Sequence, residues 1–513
     1  MPKNSLLYGA AILFAANLIN RILGFIYQYL IMRYVGSEAY GLFYMVFPVY
    51  MTALVLTTAG IPLAISKLVS EKVSMGHYGE AQKVFRVAFM MLLLSGFLVS
   101  LILYLNIPFI VNSFFSDPRI ITVFKICIPS VFVVSIASAF RGYFQGLQNM
   151  IPSAMSQIFE QILRVTLGFT LSIKLLNHGV EWAAAGLAMG MLAGEILGLF
   201  VILIHYLRYK TEVKTSRLST EPTRKIMTSL LGLSLPITGS RLMSTGLSAL
   251  DAAIIPRQLQ VAGYTSSSAA SLFGQFSGTA VTLLTFPSVF TFALATSLVP
   301  AISEAISRND YKLAEIRCLD ALRYTIVLGL PCVLVLFYFA DPLTKLFNSS
   351  EVATVLRVLA IGGLFAYIQQ TTTGILQGLG RTFLPLLHST ISAVFRIPLL
   401  IHVTSIPKWG LVGSAWVYVL SFFCIAVLNM IAIKHSIKLT YHLKNLIVQP
   451  IIAGIGMVIL FRIISLFTVL SMLSCLISTF LGFMIYFTIL FVNGGITKAD
   501  LRKIPFFNKH LKP

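Results

Sequence analysis

The sequence predicts an all-α polytopic membrane protein of about fourteen transmembrane helices, arranged as two six-helix lobes in parallel repeat plus two C-terminal helices. Three observations predict it. Hydrophobic residues make up 57% of the 513-residue chain and charged residues 11%, with a mean hydropathy of +0.88; a soluble domain carries about 25% charged residues and needs a polar surface. Apolar runs recur from end to end, each long enough to cross ~30 Å of hydrocarbon as a helix, and they are continuous rather than alternating, which excludes a membrane barrel. Finally, motifs of the first half return in the same order in the second.

The runs place spans near residues 7–33, 41–66, 84–106, 120–144, 153–174, 182–206, 226–255, 271–299, 321–340, 352–377, 382–404, 409–433, 446–468 and 472–493. The first is too long for a cleavable signal peptide and carries Asn17, Asn20, Arg21 and Gln28. Lys and Arg outnumber Asp and Glu by 38 to 17, a formal net charge of +21. They gather in alternate loops: Lys67 to Arg86, Arg208 to Lys225, Arg308 to Arg323, Lys434 to Lys444 and Lys498 to Lys512. That bias predicts a multi-pass protein with both termini inside. Cations scattered through short loops suit anionic membrane lipids and not nucleic acid. The tail from Arg502 to Pro513, with Phe506 and Phe507, reads equally as a segment on the inner membrane surface or as a solvated end.

Several chemistries are not represented. The cysteines (Cys127, Cys318, Cys332, Cys424, Cys475) have no paired spacing and read as packing residues; the histidines form no metal pattern; there is no phosphate-binding loop, and no cofactor motif. The longest loop, Arg208 to Lys225, is too short for a soluble catalytic domain.

The repeat divides the chain. Gly142, Gln145, Gly146, Leu147, Pro152 and Arg164 recur as Gly374, Gln377, Gly378, Leu379, Pro385 and Arg396. Trp182, Gly186 and Ala188 recur as Trp409, Gly413 and Ala415; the Ala-Ile-Ser of Ala64 to Ser66 as that of Ala301 to Ser303; and Arg21 as Arg241. This predicts an N-lobe over 1–207, a basic linker over 208–225, a C-lobe over 226–435, and two further spans with a basic tail over 436–513. Parallel repeats of this kind rock about a midplane site in secondary transporters.

Ionisable residues at membrane depth are costly and therefore informative. Arg21 and Arg241 hold matching places in spans 1 and 7, where they can line a cavity or pair structurally with a carboxylate such as Asp251. Glu160 and Arg164 stand four apart on one face of span 5, where they can pair with each other or line a cavity. Arg141 closes span 4. Lys125, Glu195, Asp251, Arg323, Arg357, Arg396 and Arg462 complete the set. The excess is cationic, which suits an anionic passenger such as a phosphate or pyrophosphate gripped by guanidinium forks. Candidate substrate-binding residues are thus Arg21, Arg241, Arg141, Glu160 and Arg164; no catalytic or metal-ligating set emerges.

Asn20 to Phe25 resembles the opening motif of the lipid II flippase group in the multidrug/oligosaccharidyl-lipid/polysaccharide exporter superfamily. The blocks Gly60 to Glu71, Arg141 to Val165, Gly239 to Met243 and Leu298 to Ser307 resemble the stage V sporulation protein B branch. The resemblance spans residues 5 to 435. It implies fourteen helices in two lobes around a central cavity, alternating access, and a polyprenyl-linked anionic glycan as passenger, carried across the bacterial cytoplasmic membrane by a monomer for cell-wall, capsule or spore-cortex synthesis. Of the family's cavity cations only Arg21 carries over: Tyr27, Thr52, Ala53, Thr282 and Thr285 stand where flippases have charged residues. Two readings follow, a different lipid-linked passenger or a pyrophosphate held by Arg141, Arg164 and Arg241 instead. A drug or cation exporter of the superfamily would favour acidic cavity residues. A glycan polymerase or ligase would need a long charged outer loop, and no nucleophile–base pair is present.

Overall fold

In a computed structural model the structure describes residues 6–58, 60–212, 222–437, 444–467 and 472–496. Half of the linker (213–221) and the basic tail lie outside the described residues. Each expected span coincides with one helix or a run of consecutive helices. The first is α1 (Leu6–Leu30), extended by a π-helical turn over Ile31–Val35. Gly36, at φ +106°, ends that turn in a conformation a side chain would resist. The second is α2 (Ser37–Thr58) with α3 (Ile61–Ser74), broken where Pro62 begins a new helix. Then come α4 (Tyr78–Leu105), the short α5 (Ile107–Phe114), α6 (Ile120–Gly146), α7 (Ile151–Leu175) and α8 (Val180–Glu212). After the linker, α9 (Thr223–Val261) forms the seventh span. The eighth is a run: α10 (Ser266–Gln275), a π-helical stretch over Phe276–Val281, α11 (Thr282–Thr285) and α12 (Ser288–Ser307).

The remaining spans are α13 (Tyr311–Tyr338), followed by the short α14 (Ala340–Leu346), then α15 (Ala353–Gly378), α16 (Phe383–Thr404), α17 (Gly410–Ser436), α18 (Gln449–Phe467) and α19 (Met472–Val492). Ten helical stretches among the described residues are long and apolar enough to cross a membrane by length and composition alone. Of the other four spans, α1, α7, α9 and the α10–α12 run, α7 and α9 are the more polar, carrying Glu160, Arg164, Arg241 and Asp251 among others.

The chain forms two compact units, Met1–Gly274 and Gln275–Pro513. In the first, α8 lies along α7 and α6, α4 packs on α6, α1 on α7, and α9 runs along α2, α3 and α4. The unit therefore extends past the basic linker to take in α9 and most of α10. Its core includes the ring cluster of Phe85, Phe140, Tyr143 and Tyr206, with centroids 4.7 to 6.0 Å apart. In the second, α15 packs on α17, α13 and α12, α16 on α17, and α18 pairs with α19 against α13 through Phe339, Phe461 and Tyr486.

Repeated residues make equivalent contacts inside each unit. Gly142 and Gly146 of α6 are spaces into which α3 fits: a Cβ on Gly142 would stand 2.7 Å from the Pro62 carbonyl oxygen, and one on Gly146 2.7 Å from Val69 Cβ. Their echoes on α15 do the same for α12, Gly374 against Ala295 and Gly378 against Ile302. Gly186 fits against Ser172 between α7 and α8, as Gly413 fits against Val403 between α16 and α17.

Candidate substrate and ion-pair site

The site is built by the closest helix pair in the first unit. Gly186, Gly190, Gly194 and Gly198 fall every fourth residue on α8 and present a side-chain-free stripe to α7. A Cβ on Gly190 would lie 2.2 Å from Gly168 Cα, and one on Gly194 2.7 Å from the Glu160 carbonyl oxygen. With the backbones this near, Glu195 reaches Arg164 across the interface, Oε1 to Nη2 at 2.6 Å. The same Nη2 holds Glu160 Oε1 at 2.6 Å, one helical turn away. Arg141, at the end of α6, donates to the other Glu160 oxygen at 2.7 Å and to Ser156 at 3.3 Å. Ser156 in turn donates to the Gly198 carbonyl at 2.8 Å.

Two guanidiniums thus face two carboxylates, all largely buried. The cluster is charge-neutral but not saturated: Glu195 Oε2, Arg141 Nε, Arg164 Nε and the hydroxyls of Tyr27 and Tyr50 are buried without hydrogen-bond partners. Tyr27, from α1, sits on Gly168. Tyr50, from α2, lies in the field of Glu160, Arg164 and Glu195. Such a cluster holds three helices, α6, α7 and α8, in register, because any one group left alone would carry an uncompensated charge at low dielectric.

Of the five candidate binding residues, the structure brings Arg141, Glu160 and Arg164 together. Arg21 and Arg241 are not members of the cluster. Both are exposed, Arg21 on α1 one turn before Gly24, which faces Gln161 of α7, and Arg241 on α9. Glu195 as the second counter-charge, and the two tyrosines, escaped sequence reasoning; the four-residue glycine spacing on α8 was the signal that α8 must lie against α7. In the second unit the place of Arg164 in the repeat is taken by Arg396, whose guanidinium lies 4.2 Å from the Tyr418 ring centroid.

A third charged group lies outside the spans, between α5 and α6. Arg119 is paired with Glu38 at 2.7 Å and with Asp117 at 2.7 Å, and Ser266 donates to Asp117 at 2.8 Å. Burial pushes the Asp117 carboxyl up, but hydrogen bonds from Arg119 and Ser266 outweigh it and hold it below the usual carboxylate range. The Asp117 hydrogen bond likewise raises Arg119. This network ties the start of α2 to the start of α10, where Ser37 and Ser271 meet at 2.8 Å and Gly41 and Gly274 allow backbone contact.

Residues 6–306 match the family model for "Polysaccharide biosynthesis protein", and 264–401 the MatE model. The chain is 32% identical over 452 residues, 87% of its length and 86% of the relative's, to Stage V sporulation protein B of Bacillus subtilis (strain 168). It belongs to the polysaccharide biosynthesis protein family. Within the superfamily expected from its motifs, it is also 24% identical to Lipid II flippase MurJ of the same organism, over 88% of this chain and 87% of that one. The solved structure "Lipid II flippase MurJ, inward closed conformation" superposes over 98% of this chain and 100% of that one with a TM-score of 0.72 at 18% identity. An inward-facing multidrug resistance transporter superposes at TM-score 0.67 and 17% identity, over 81% of this chain and 95% of that one. These two likenesses show the fold, that of polytopic transporters.

Proposed function

We propose that this protein is a flippase for an undecaprenyl-pyrophosphate-linked glycan precursor, a peptidoglycan unit for cell wall or spore cortex, moved across the bacterial cytoplasmic membrane by alternating access of the lobes 1–207 and 226–435. The observation that carries the reading is the relationship to Stage V sporulation protein B over 87% of the chain. The site chemistry agrees with it. Arg21 and Arg241 are exposed guanidiniums at membrane depth, and a cation there is tolerable where water or an anionic passenger meets it. Arg141, Glu160 and Arg164, with Glu195, form a neutral brace among α6, α7 and α8. The protein works as a monomer, with both termini in the cytoplasm as the loop charges require, among anionic lipids that attract its basic loops. A drug or cation exporter, the second reading, would be favoured by acidic cavity residues, and the exposed candidates are arginines.

The test is complementation of cells depleted of their lipid II flippase, with variants present at wild-type abundance. Arg21→Ala removes a charge-assisted contact of about 1.5–3 kcal/mol and abolishes or cripples rescue. Lys at that position restores it only in part, since a point charge cannot fork across two phosphate oxygens. Full rescue by Arg21→Ala overturns the pyrophosphate role.

A further inference from the structure

The second unit buries a polar cluster of its own on α15, α16 and α17. His388 of α16 is 7% exposed, and Asn429 of α17 and Thr372 of α15 are fully buried. His388 Nδ1 lies 2.7 Å from Asn429 Oδ1, and Asn429 Nδ2 donates to Thr372 Oγ1 at 3.0 Å and to Thr373 Oγ1 at 3.3 Å. One chain of polar atoms thus joins three helices.

Following the hydrogens through this chain fixes the imidazole. The Thr372 hydroxyl donates to the carbonyls of Ile368 at 2.8 Å and Gln369 at 3.0 Å, so its single hydrogen is committed to its own helix. Its oxygen therefore accepts from Asn429, which turns the amide nitrogen toward Thr372 and the amide oxygen toward His388. An amide oxygen only accepts, so His388 Nδ1 must carry a hydrogen. The neutral ring then has its lone pair at Nε2. Among the described residues the ring's hydrogen bond is at Nδ1, and Nε2 is not one of the sealed polar atoms, so it is the ring's open edge. A proton taken there breaks no bond in the network.

We propose that His388 is a proton-binding site of this protein, neutral as the Nδ1–H tautomer and charged by protonation at Nε2. The surroundings give that proton leverage. The helices packed most closely against α16 among the described residues are α17 and α15, and none of the three contains an Asp or Glu. Their charged groups are cations: Arg396, two turns along α16 and stacked on Tyr418, Arg357 at the far end of α15, and Lys434 five residues beyond Asn429 on α17. Tyr367 of α15 is committed to the Leu284 carbonyl at 2.8 Å, and Cys424 lies more than a turn from Asn429 along α17. An imidazolium here has no carboxylate on the packed helices to neutralise it. A buried, uncompensated cation is costly, so protonation favours arrangements in which water or an anion reaches Nε2. A proton gradient would thereby bias the packing of α15, α16 and α17. The site itself does not depend on what the protein carries.

The experiment is ¹⁵N NMR of the full-length protein in nanodiscs with ¹⁵N-histidine, the His388 signals assigned by their loss in His388→Gln. The expected result is the Nδ1–H tautomer at high pH, converting to imidazolium at a midpoint that the titration reads. Asn429→Asp sets a carboxylate against Nδ1–H and raises that midpoint by about one pH unit or more, a tenfold gain in proton affinity. A ring that keeps one form over the whole pH range in which the protein stays folded, a neutral form with the hydrogen on Nε2, or a midpoint unmoved by Asn429→Asp overturns the proposal. If Asn429→Asp does not fold, the wild-type titration decides alone.

Discussion

The Arg164 guanidinium bridges two carboxylates on different helices: its Nη2 stands 2.6 Å from Glu195 on α8 and 2.6 Å from Glu160 on its own helix. One positively charged nitrogen thus ties α7 to α8, and Arg141 extends the tie to α6 through the second Glu160 oxygen. Because the cluster sums to zero, its stability rests on being complete.

The first expectation concerns Glu160, the one carboxylate shared by both arginines. Glu160→Ala leaves two buried guanidiniums with only Glu195 between them. Removing one partner of a buried pair costs about 3–5 kcal/mol, against which a well-packed apolar replacement of a whole pair is near neutral. Thermal unfolding of detergent-solubilised protein should show a large drop for Glu160→Ala and a smaller one for Glu195→Gln, which keeps its shape and one acceptor. Equal melting temperatures for Glu160→Ala and wild type would show that the cluster braces nothing.

A second expectation follows from the glycine stripe that makes the cluster possible. A Cβ at Gly190 would lie 2.2 Å from the Gly168 backbone, which has no flexible end to move aside. Gly190→Ala must therefore push α8 away from α7, with a cost of about 1–3 kcal/mol typical of overpacking. Gly232→Ala on α9 meets no atom within 4 Å and serves as the control, neutral or slightly stabilising. The melting temperature should fall for the first and hold for the second.

Most of the spans were legible in the sequence because the bilayer imposes a minimum length and an apolar character on a crossing helix, and ten stretches meet both among the described residues. The pairing of Glu160 with Arg164 was legible for a similar reason: a four-residue spacing on a helix fixes neighbours without any tertiary knowledge. Glu195 lies thirty-one positions from Arg164, and only the approach of α8 to α7 brings them together. The extent of the first unit was hidden in the same way. Nothing local in α9 announces that it will run along α2, α3 and α4, and the basic linker marks a boundary of the repeat, not of the contacts.

The Asp117 network carries a pH dependence whose sign is set by the direction of its shift. Its carboxyl titrates lower in the folded protein than the usual ~3.9, so it contributes stability above that value. The contribution is lost as the pH falls from about 4 through the lower folded-state value. Asp117→Asn has no such proton to take up. Between pH 7 and pH 3 the melting temperature of the wild type should therefore fall further than that of Asp117→Asn. Parallel curves would mean that Arg119 and Ser266 do not favour the charged form.

Ser37 and Ser271 provide the sharpest test of alternating access. Their hydroxyl oxygens meet at 2.8 Å where the starts of α2 and α10 come together, with Gly41 and Gly274 removing the side chains that would hold the two backbones apart. Cysteines at both positions are close enough for a disulfide after a small rotation, since bridged Cβ atoms stand about 3.5–4.5 Å apart. If transport requires these helix ends to part, the oxidised Ser37→Cys/Ser271→Cys protein should be arrested, and a reductant should restore it. Each single variant should stay active under both conditions, which separates the crosslink from the loss of the serine hydrogen bond. The readout is growth of flippase-depleted cells carrying the variants, with the extent of crosslinking measured on the same membranes. A fully crosslinked double variant that still supports growth would show that α2 and α10 remain joined throughout the cycle, and the opening would have to be sought elsewhere in the fold.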